Sequence, residues 1–190
     1  MQTVDAAIET IIDAHPNLYL EHCIVMCVAL MSKYSSSPCE FAVKCSGFQL
    51  PILGENPTFR LRVAWEDSTA GKARRIVETE QLKPMVERAA IALAALLFAK
   101  FIECSEMRVA GYGESADYWL PRLQSALEIS GTENPRYLSR RHQQKREQVL
   151  HNPLSLDGYV VVCCVSAQQR RIFWSFQSKG ELKNASFKSK

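Results

Sequence analysis

Apolar and polar residues alternate in the first third of the chain with two periodicities, one helical and one extended. In residues 3–14 the apolar side chains recur every three or four positions, which predicts an amphipathic helix ending before Pro16. Residues 18–34 form a longer apolar segment, whose length favours a buried helix over a strand. The polar residues 35–38 predict a loop after it.

Two segments with the alternation of a β-strand follow, at residues 39–50 and 58–66. In the second, every other residue is apolar and would face a core: Phe59, Leu61, Val63 and Trp65. Residues 51–57 supply proline, glycine and asparagine between the segments, so we expect an antiparallel hairpin. Arg60 and Arg62 would lie on its exposed face, where they could dock a partner.

A long apolar helix is predicted in the middle of the chain, after a polar loop at residues 67–75. Pro84 suits the first helical position, and the helix runs on for about five turns. Residues 89–99 are apolar on all sides, so this helix should be largely buried. Three short strand-like segments come after it: residues 107–111, 115–120 and 125–131.

The last quarter of the chain contains a basic helix and two strands. Residues 136–150 have the composition of an exposed, strongly basic helix. Residues 159–165 form a continuous apolar run, which is typical of a strand covered on both faces. Residues 170–177 predict a last strand, and the lysine-rich tail at 178–190 is expected to fray.

Length and composition indicate one folded domain of modest charge. Of 190 residues, 47% are hydrophobic and 23% charged, which is enough to bury a core. We expect a single α/β domain over residues 1–177, in which helices and a hairpin (1–78) precede a core (79–177). That core has the order α-β-β-β-α-β, with a short mixed sheet flanked by helices. The net charge of +3 does not by itself indicate nucleic-acid binding.

The cysteines and the apolar runs suggest where the protein is found. An odd number of cysteines without C-x-x-C spacing predicts reduced, mostly buried thiols: Cys23, Cys27, Cys39, Cys45, Cys104, Cys163 and Cys164. The N-terminus carries acids where a signal peptide needs positive charge. The longest apolar run, residues 89–99, is shorter than the ~20 residues of a membrane span. We therefore expect a soluble cytoplasmic protein with no membrane partner.

Two acidic residues interrupt apolar, strand-like segments. Asp117 lies in the second of the three short strands and Glu128 in the third. A buried carboxylate is costly unless a partner compensates it, so each is either solvated or retained for chemistry. Asp117 could simply be an acid near a turn, before Tyr118 and Trp119. Alternation along the strand could likewise aim Glu128 at solvent.

The element order and the two acids resemble the PD-(D/E)xK nuclease superfamily over residues 80–177. The core of that superfamily reads α-β-β-β-α-β, with an acid on the second strand and E-x-K on the third. A further glutamate often comes from the first helix. The matching residues here are Asp117 in "SADYW", Glu128 in "LEIS" and Glu87 in "MVERAA".

The resemblance implies a nuclease that hydrolyses phosphodiesters of DNA or RNA with Mg²⁺ or Mn²⁺. Glu87, Asp117 and Glu128 would hold the metal, since hard cations prefer carboxylate oxygens. The metal would lower the pKa of a bound water and stabilise developing charge. Neighbouring strands lie about 4.8 Å apart, close enough for two acids to share one cation. Glu87 is also favoured near a helix start for electrostatic reasons alone. Such a protein would suit mobile elements or anti-phage defence.

The third-strand motif departs from the superfamily, because Ser130 stands where the lysine is expected. Some members take that lysine from the following helix, where Lys145 is the candidate. Arg141, Lys145 and Gln148 are spaced i, i+4 and i+7, so they share a helix face. A basic face turned toward two acids would complete a site with catalytic Asp117, Glu128 and Lys145. The alternative is a catalytically inactive module that binds a partner protein or nucleic acid.

The basic helix is the clearest candidate for contact with phosphates. Residues 136–148 contain five basic side chains and one acid. Such a face would bind nucleic acid without sequence preference and with strong salt dependence. We expect four residues to form this surface: Arg140, Arg141, Lys145 and Gln148. A solvated helix face is the other interpretation, and the four histidines have no metal-ligand spacing.

Overall fold

A mixed sheet of eight strands forms the centre of the protein in the computed structural model, which describes residues 1–102, 106–111, 116–152 and 156–178. Two further strands pair with each other in a small hairpin. The strands of these ranges are β1 (Thr3–Ala7), β2 (Cys39–Ser46), β3 (Gln49–Leu50), β4 (Gly54–Glu55), β5 (Thr58–Ala64), β6 (Arg108–Val109), β7 (Tyr118–Leu120), β8 (Ser125–Thr132), β9 (Gly158–Val165) and β10 (Arg170–Gln177).

Five α-helices connect these strands within the same described ranges. They are α1 (Ile11–Ala14), α2 (Glu21–Ser32), α3 (Asp67–Thr79), α4 (Leu82–Phe101) and α5 (Leu138–Leu150). Short 3₁₀ turns lie at Ile8–Thr10, Pro121–Leu123 and Pro135–Tyr137. The predicted helix, three strands, helix and two strands of the second half correspond to α4, β6, β7, β8, α5, β9 and β10.

The strands lie in the order β1-β5-β2-β10-β9-β8-β7-β6. Three neighbouring pairs are parallel, namely β1 with β5, β2 with β10 and β8 with β9. Helix α5 makes the crossover between β8 and β9 that parallel strands require. The predicted α/β class is confirmed, as is the antiparallel hairpin of β2 and β5. The sheet is larger than the short one expected, because β10 joins it to that hairpin.

Helices cover the central strands on both faces. Helix α4 packs on β8 and β9 from one side, together with α2, and α5 packs on β8, β9 and β10 from the other. Alternate residues of β9 belong to these two layers. Val161, Cys163 and Val165 lie in the larger core, whereas Val160, Val162 and Cys164 lie with Leu138 and Val149 of α5. The prediction of a strand covered on both faces is confirmed.

His142 fixes the rotation of α5 on the sheet. Its Nε2 lies 2.9 Å from the Oγ atom of the buried Ser175, and its ring meets Phe173 edge-on. Burial, with smaller contributions from Arg146 and Lys44, lowers the pKa of His142 to about 4, so the ring is neutral at physiological pH. Lys145 is three residues further on, so it lies on the same packed side of the helix.

The predicted helix at residues 3–14 is wrong in its first half. Residues Thr3–Ala7 form β1, an edge strand paired in parallel with β5 from Thr3 opposite Arg60 to Ala7 opposite Ala64. The ladder satisfies backbone groups that a short exposed helix would leave to water. Only residues 8–14 are helical, which accounts for the helical spacing of the apolar residues at that end.

The predicted loop at residues 67–75 is also wrong, because these residues begin α3. Helix α3 buries only two small residues, Thr69 and Ala73, and Ile76 packs only partly on the core. The apolar stripe of this helix is therefore weak in the sequence. A distant carboxylate caps the helix. The Oε1 atom of Glu9 accepts hydrogen bonds from the Glu66 amide at 2.9 Å and from the Thr69 hydroxyl at 2.7 Å.

Other boundaries differ by a few residues. Helix α4 begins two residues before Pro84, which still lies in the first turn, where its missing N–H costs no helical hydrogen bond. The strand predicted at 107–111 is only two residues long. Three parts of the predictions lie outside the described residues: Cys104, Ser115 of the segment predicted at 115–120, and residues 179–190 of the tail.

Six cysteines lie within the described residues, and all are buried without a disulfide there. Burial raises the pKa of Cys45 to about 12, so its thiol stays protonated. These observations agree with the predicted buried thiols. In the described part of the chain, no helix is both long enough and apolar enough to cross a membrane.

Gly131, near the end of β8, allows the sheet to approach α4 closely. A Cβ atom there would overlap the carbonyl oxygen of Val86 and lie 2.7 Å from its Cγ1. We expect Gly131→Ala to destabilise the protein by about 1–3 kcal/mol, because the helix backbone must move. Gly71→Ala is the matched control, since it has open space within α3 and should stabilise slightly. Equal urea midpoints for both variants would contradict the expectation.

Candidate active site

Lys145 joins the two acidic residues that the sequence singles out. Its Nζ lies 2.9 Å from Oδ2 of Asp117 and 2.5 Å from Oε2 of Glu128. Because one nitrogen contacts both carboxylates, those two oxygens are at most about 5.4 Å apart, the sum of the two contacts. Side chains from the edge of β7, from β8 and from α5 therefore converge at one point.

Asp117 lies directly before β7, in a bend rather than inside the predicted strand. Its Oδ2 accepts a hydrogen bond of 2.7 Å from the Ile129 amide. The hydrogen-bonded ladder between β7 and β8 ends at the pair of Tyr118 and Leu127. The Asp117 carboxylate therefore satisfies the Ile129 amide, which lies beyond that pair. This contact fixes the carboxylate next to Glu128, while the side chain stays 39% exposed to solvent.

Glu128 lies on the face of β8 that is turned toward α5, next to Val160 of β9 in the parallel register. The residue is only 3% exposed, so the interpretation that alternation aims it at solvent is wrong. Burial raises the pKa of Glu128 to about 7, and the neighbouring Asp117 charge adds to this while Lys145 opposes it. The fold therefore holds a carboxyl that can gain or lose a proton near neutral pH.

Lys145 remains the cationic member of the group. Burial alone would lower the pKa of Lys145, but the hydrogen bonds to Glu128 and Asp117 outweigh burial and raise it. The ammonium is thus a fixed positive charge that can donate to a third acceptor. The predicted neighbourhood of Asp117, Glu128 and Lys145 is present in the fold, although it leaves their chemical roles open.

Arg141 lies beside the serine that replaces the motif lysine. Its Nη1 donates to Oγ of Ser130 at 3.2 Å and to the carbonyl oxygen of Gly131 at 3.0 Å. The end of β8 therefore has a positive charge next to it even without the lysine. Arg141 and Lys145 are one helical turn apart, and together they place two cations along the acidic pair.

Glu87 shares a hollow with part of the acidic pair. It lines a hollow of about 420 Å³ that also touches Asp117 and Lys145. Within the residues that the structure describes, no three histidine, cysteine or acidic side chains form a group that could hold a metal ion. The three-carboxylate metal site stays a prediction.

The remaining pair still suits a hard cation in its chemistry. Oδ1 of Asp117 and Oε1 of Glu128 accept no hydrogen bond from an N–H group of the described residues. Magnesium commonly uses one or two protein carboxylates and keeps several waters. The two acids both line a cleft of about 510 Å³ and fit that mode, with Lys145 on their other oxygens.

Two adjoining clefts run from the acidic pair along α5. One of about 510 Å³ contains Asp117, Glu128, Lys145 and Gln148 in its walls. A larger one of about 790 Å³ continues past Lys145 and Gln148 to Arg140 and Arg141. All four residues predicted to bind nucleic acid thus line connected hollows, and three of them carry positive charge.

His151 lines both clefts, although its spacing gave no reason to select it. Its Nδ1 lies 2.8 Å from the carbonyl oxygen of Glu147. A carbonyl can only accept, so Nδ1 carries a proton and donates it to this oxygen. The signal that could have found it is its position three residues after Gln148, at the end of the same helix face.

The arginines of the N-terminal hairpin do not form a free cationic surface. Arg60 lies 3.5 Å from Glu40, and Nε of Arg62 lies 2.8 Å from Asp5 on the edge strand β1. These ion pairs are exposed, so each contributes little to stability. They neutralise the charges that were predicted to dock a partner.

Comparison with known proteins gives no family for this chain, since no family model, no curated protein and no solved structure matches it. The likeness to PD-(D/E)xK nucleases stays a prediction from element order and motif residues. The contacts among Asp117, Glu128 and Lys145 are the observations from which a function can be argued.

Proposed function

We propose that this protein is a nuclease-like enzyme that hydrolyses phosphodiesters of DNA or RNA with Mg²⁺ or Mn²⁺. The observation that carries the proposal is the contact of one ammonium group with two carboxylates inside a cationic cleft. Metal-binding carboxylates and a positive charge beside them are what this hydrolysis requires.

The residues would divide the work as follows. Asp117 and Glu128 would hold the metal, which would supply an activated water and stabilise the charge that develops on the phosphate. Lys145 donates a hydrogen bond to the attacking water or to a phosphate oxygen. Arg141, held by Ser130 and Gly131, binds the next phosphate along the cleft.

The burial of Glu128 supports a functional role for the pair. A glutamate that is 3% exposed and whose pKa rises to about 7 costs stability at neutral pH. An apolar residue at this position of β8 would avoid that cost. Groups with strongly shifted pKa values in a cleft are candidates for catalysis.

The same contacts also favour a second function, in which they stabilise the fold and take no part in catalysis. Lys145 can act as the permanent countercharge of both acids, and Asp117 also satisfies the Ile129 amide. No three-ligand group is present among the described side chains. In this alternative the protein is an inactive module of nuclease-like fold that binds nucleic acid or a protein partner through α5.

A cleavage assay with calorimetry separates the two functions. We expect cleavage of single-stranded DNA, duplex DNA or RNA in Mn²⁺ or Mg²⁺, and none in EDTA. Titration with Mn²⁺ should give heat that disappears in Asp117→Asn, which keeps an acceptor for the Ile129 amide. Asp13→Asn, an exposed acid on α1, is the control and should keep both signals. Absence of metal binding in the wild-type protein would reject the enzyme and favour the inactive module.

A further inference from the structure

Tyr137 places an accessible aromatic ring at the junction of two hollows. The residue is 50% exposed, although it lies directly before the packed helix α5. It lines the large cationic cleft on one side and a smaller hollow of about 230 Å³ on the other. Arg141, one turn into α5, also lines both hollows.

The two hollows differ in their chemistry. The large cleft contains Arg140, Arg141 and Lys145 against one acid, Glu147. The small hollow combines the apolar Leu82 and Val86 with two acids, two cations and two polar residues: Glu87, Glu133, Lys83, Arg141, Thr132 and Asn134. Phosphates would be attracted to the first hollow, whereas the opposite charges of the second balance each other. A planar ring with apolar faces and polar edges suits the second.

The backbone around Tyr137 is fixed by local hydrogen bonds. Asn134 accepts a bond of 3.0 Å from the Arg136 amide and so caps the 3₁₀ turn that contains Tyr137. The Thr132 hydroxyl accepts from the Asn134 amide at 3.2 Å. Leu138, the next residue, is buried against β9. A ring presented from a rigid segment loses little entropy when a ligand covers it.

We propose that the small hollow binds an unpaired base of a single-stranded nucleic acid, stacked on Tyr137, while its phosphates lie along Arg140, Arg141 and Lys145. This base site specifies the substrate class of the proposed nuclease, and its role in catalysis rests on that proposed function. The binding itself requires neither metal nor cleavage.

Stacking on a side chain distinguishes single strands from duplexes. In a duplex each base is paired and covered by its neighbours, so it offers only its edges to a protein. A free base can lie flat on an aromatic ring, and each such contact strengthens binding roughly tenfold or more. Arg141, held in place by Ser130 and Gly131, is positioned to contact the adjoining phosphate or the face of the same base.

Fluorescence anisotropy in EDTA tests the proposal with the full chain. The probes are a labelled oligothymidylate, the oligouridylate of the same length, an abasic oligomer with the same phosphates, and a duplex. We expect both single strands to bind roughly tenfold more tightly than the abasic oligomer. Tyr137→Ala should remove that difference and leave abasic binding unchanged, whereas Tyr137→Trp should retain it. Tyr19→Ala, at the most exposed tyrosine, should have no effect.

The outcomes are distinct from those of the proposed hydrolysis. Equal binding of normal and abasic oligomers, tighter binding of the duplex, or no binding at all would overturn the base site. The base site would also be overturned if Tyr137→Ala, with an unchanged melting temperature, lost the same affinity for every probe. Base-dependent binding without cleavage in Mn²⁺ would support the site and overturn only the hydrolytic function.

Discussion

Replacing Lys145 by methionine should reduce the rate of phosphodiester cleavage by about 100- to 1,000-fold. The ammonium contacts both Asp117 and Glu128, so its removal takes away the positive charge nearest the reacting phosphate. Methionine keeps most of the volume of the side chain and cannot carry charge. The measurement is single-turnover cleavage of a labelled oligonucleotide with saturating Mn²⁺.

The same variant should also be less stable, because two close carboxylates lose their countercharge. A fully buried pair would cost 3–5 kcal/mol, and we expect roughly 2 kcal/mol because Asp117 remains partly solvated. Lys72→Met on the exposed side of α3 is the matched control and should change neither property. Unchanged cleavage by a folded Lys145→Met protein would reject the proposal that this lysine replaces the one missing at Ser130.

Glu128→Gln should abolish cleavage while it stabilises the protein above neutral pH. The pKa of Glu128 is about 7 in the folded protein, above the usual 4.5. The folded state therefore favours the protonated form, and that stability is complete below about pH 4.5 and is lost as pH rises through 7. Glutamine resembles the protonated form at every pH.

We expect the melting temperature of Glu128→Gln to exceed that of the wild type at pH 8 and to equal it near pH 5. A gain of about 1–3 kcal/mol corresponds to a few degrees for a chain of this size. Glu78→Gln, an exposed acid of α3, should show no such pH dependence. A Glu128→Gln protein that is less stable than the wild type at pH 8 would mean that the ion pair with Lys145 outweighs the cost of burial.

Elements with strong local patterns could be predicted from the sequence. The all-apolar helix α4 and the strands β9 and β10 depend mainly on their own residues, and their positions are correct within a few residues. Strand β1 was missed because only its pairing with β5, more than fifty positions away, makes residues 3–7 extended. Helix α3 was missed because its cap is the distant Glu9 and its buried residues are small.

The residues of the candidate site and their neighbourhood could be predicted from the sequence, but the contacts that bring them together could not. Acids within apolar strands and a basic helix after them identified Asp117, Glu128 and Lys145. Their convergence depends on where β7 stops pairing with β8 and on the rotation of α5, which the buried contact of His142 with Ser175 sets. Neither is encoded locally.

The parallel pairing of β2 with β10 has a consequence for how the chain acquires its structure. Residues 42–46 lie beside 171–175, so the earliest hairpin cannot complete its hydrogen bonds until residue 175, some 130 positions later, has left the ribosome. Such long loop closures slow folding. Until then β2 presents an open edge that could pair with other nascent chains. During its synthesis the chain is therefore prone to aggregate for a long time. A chaperone that covers strand edges would reduce this risk.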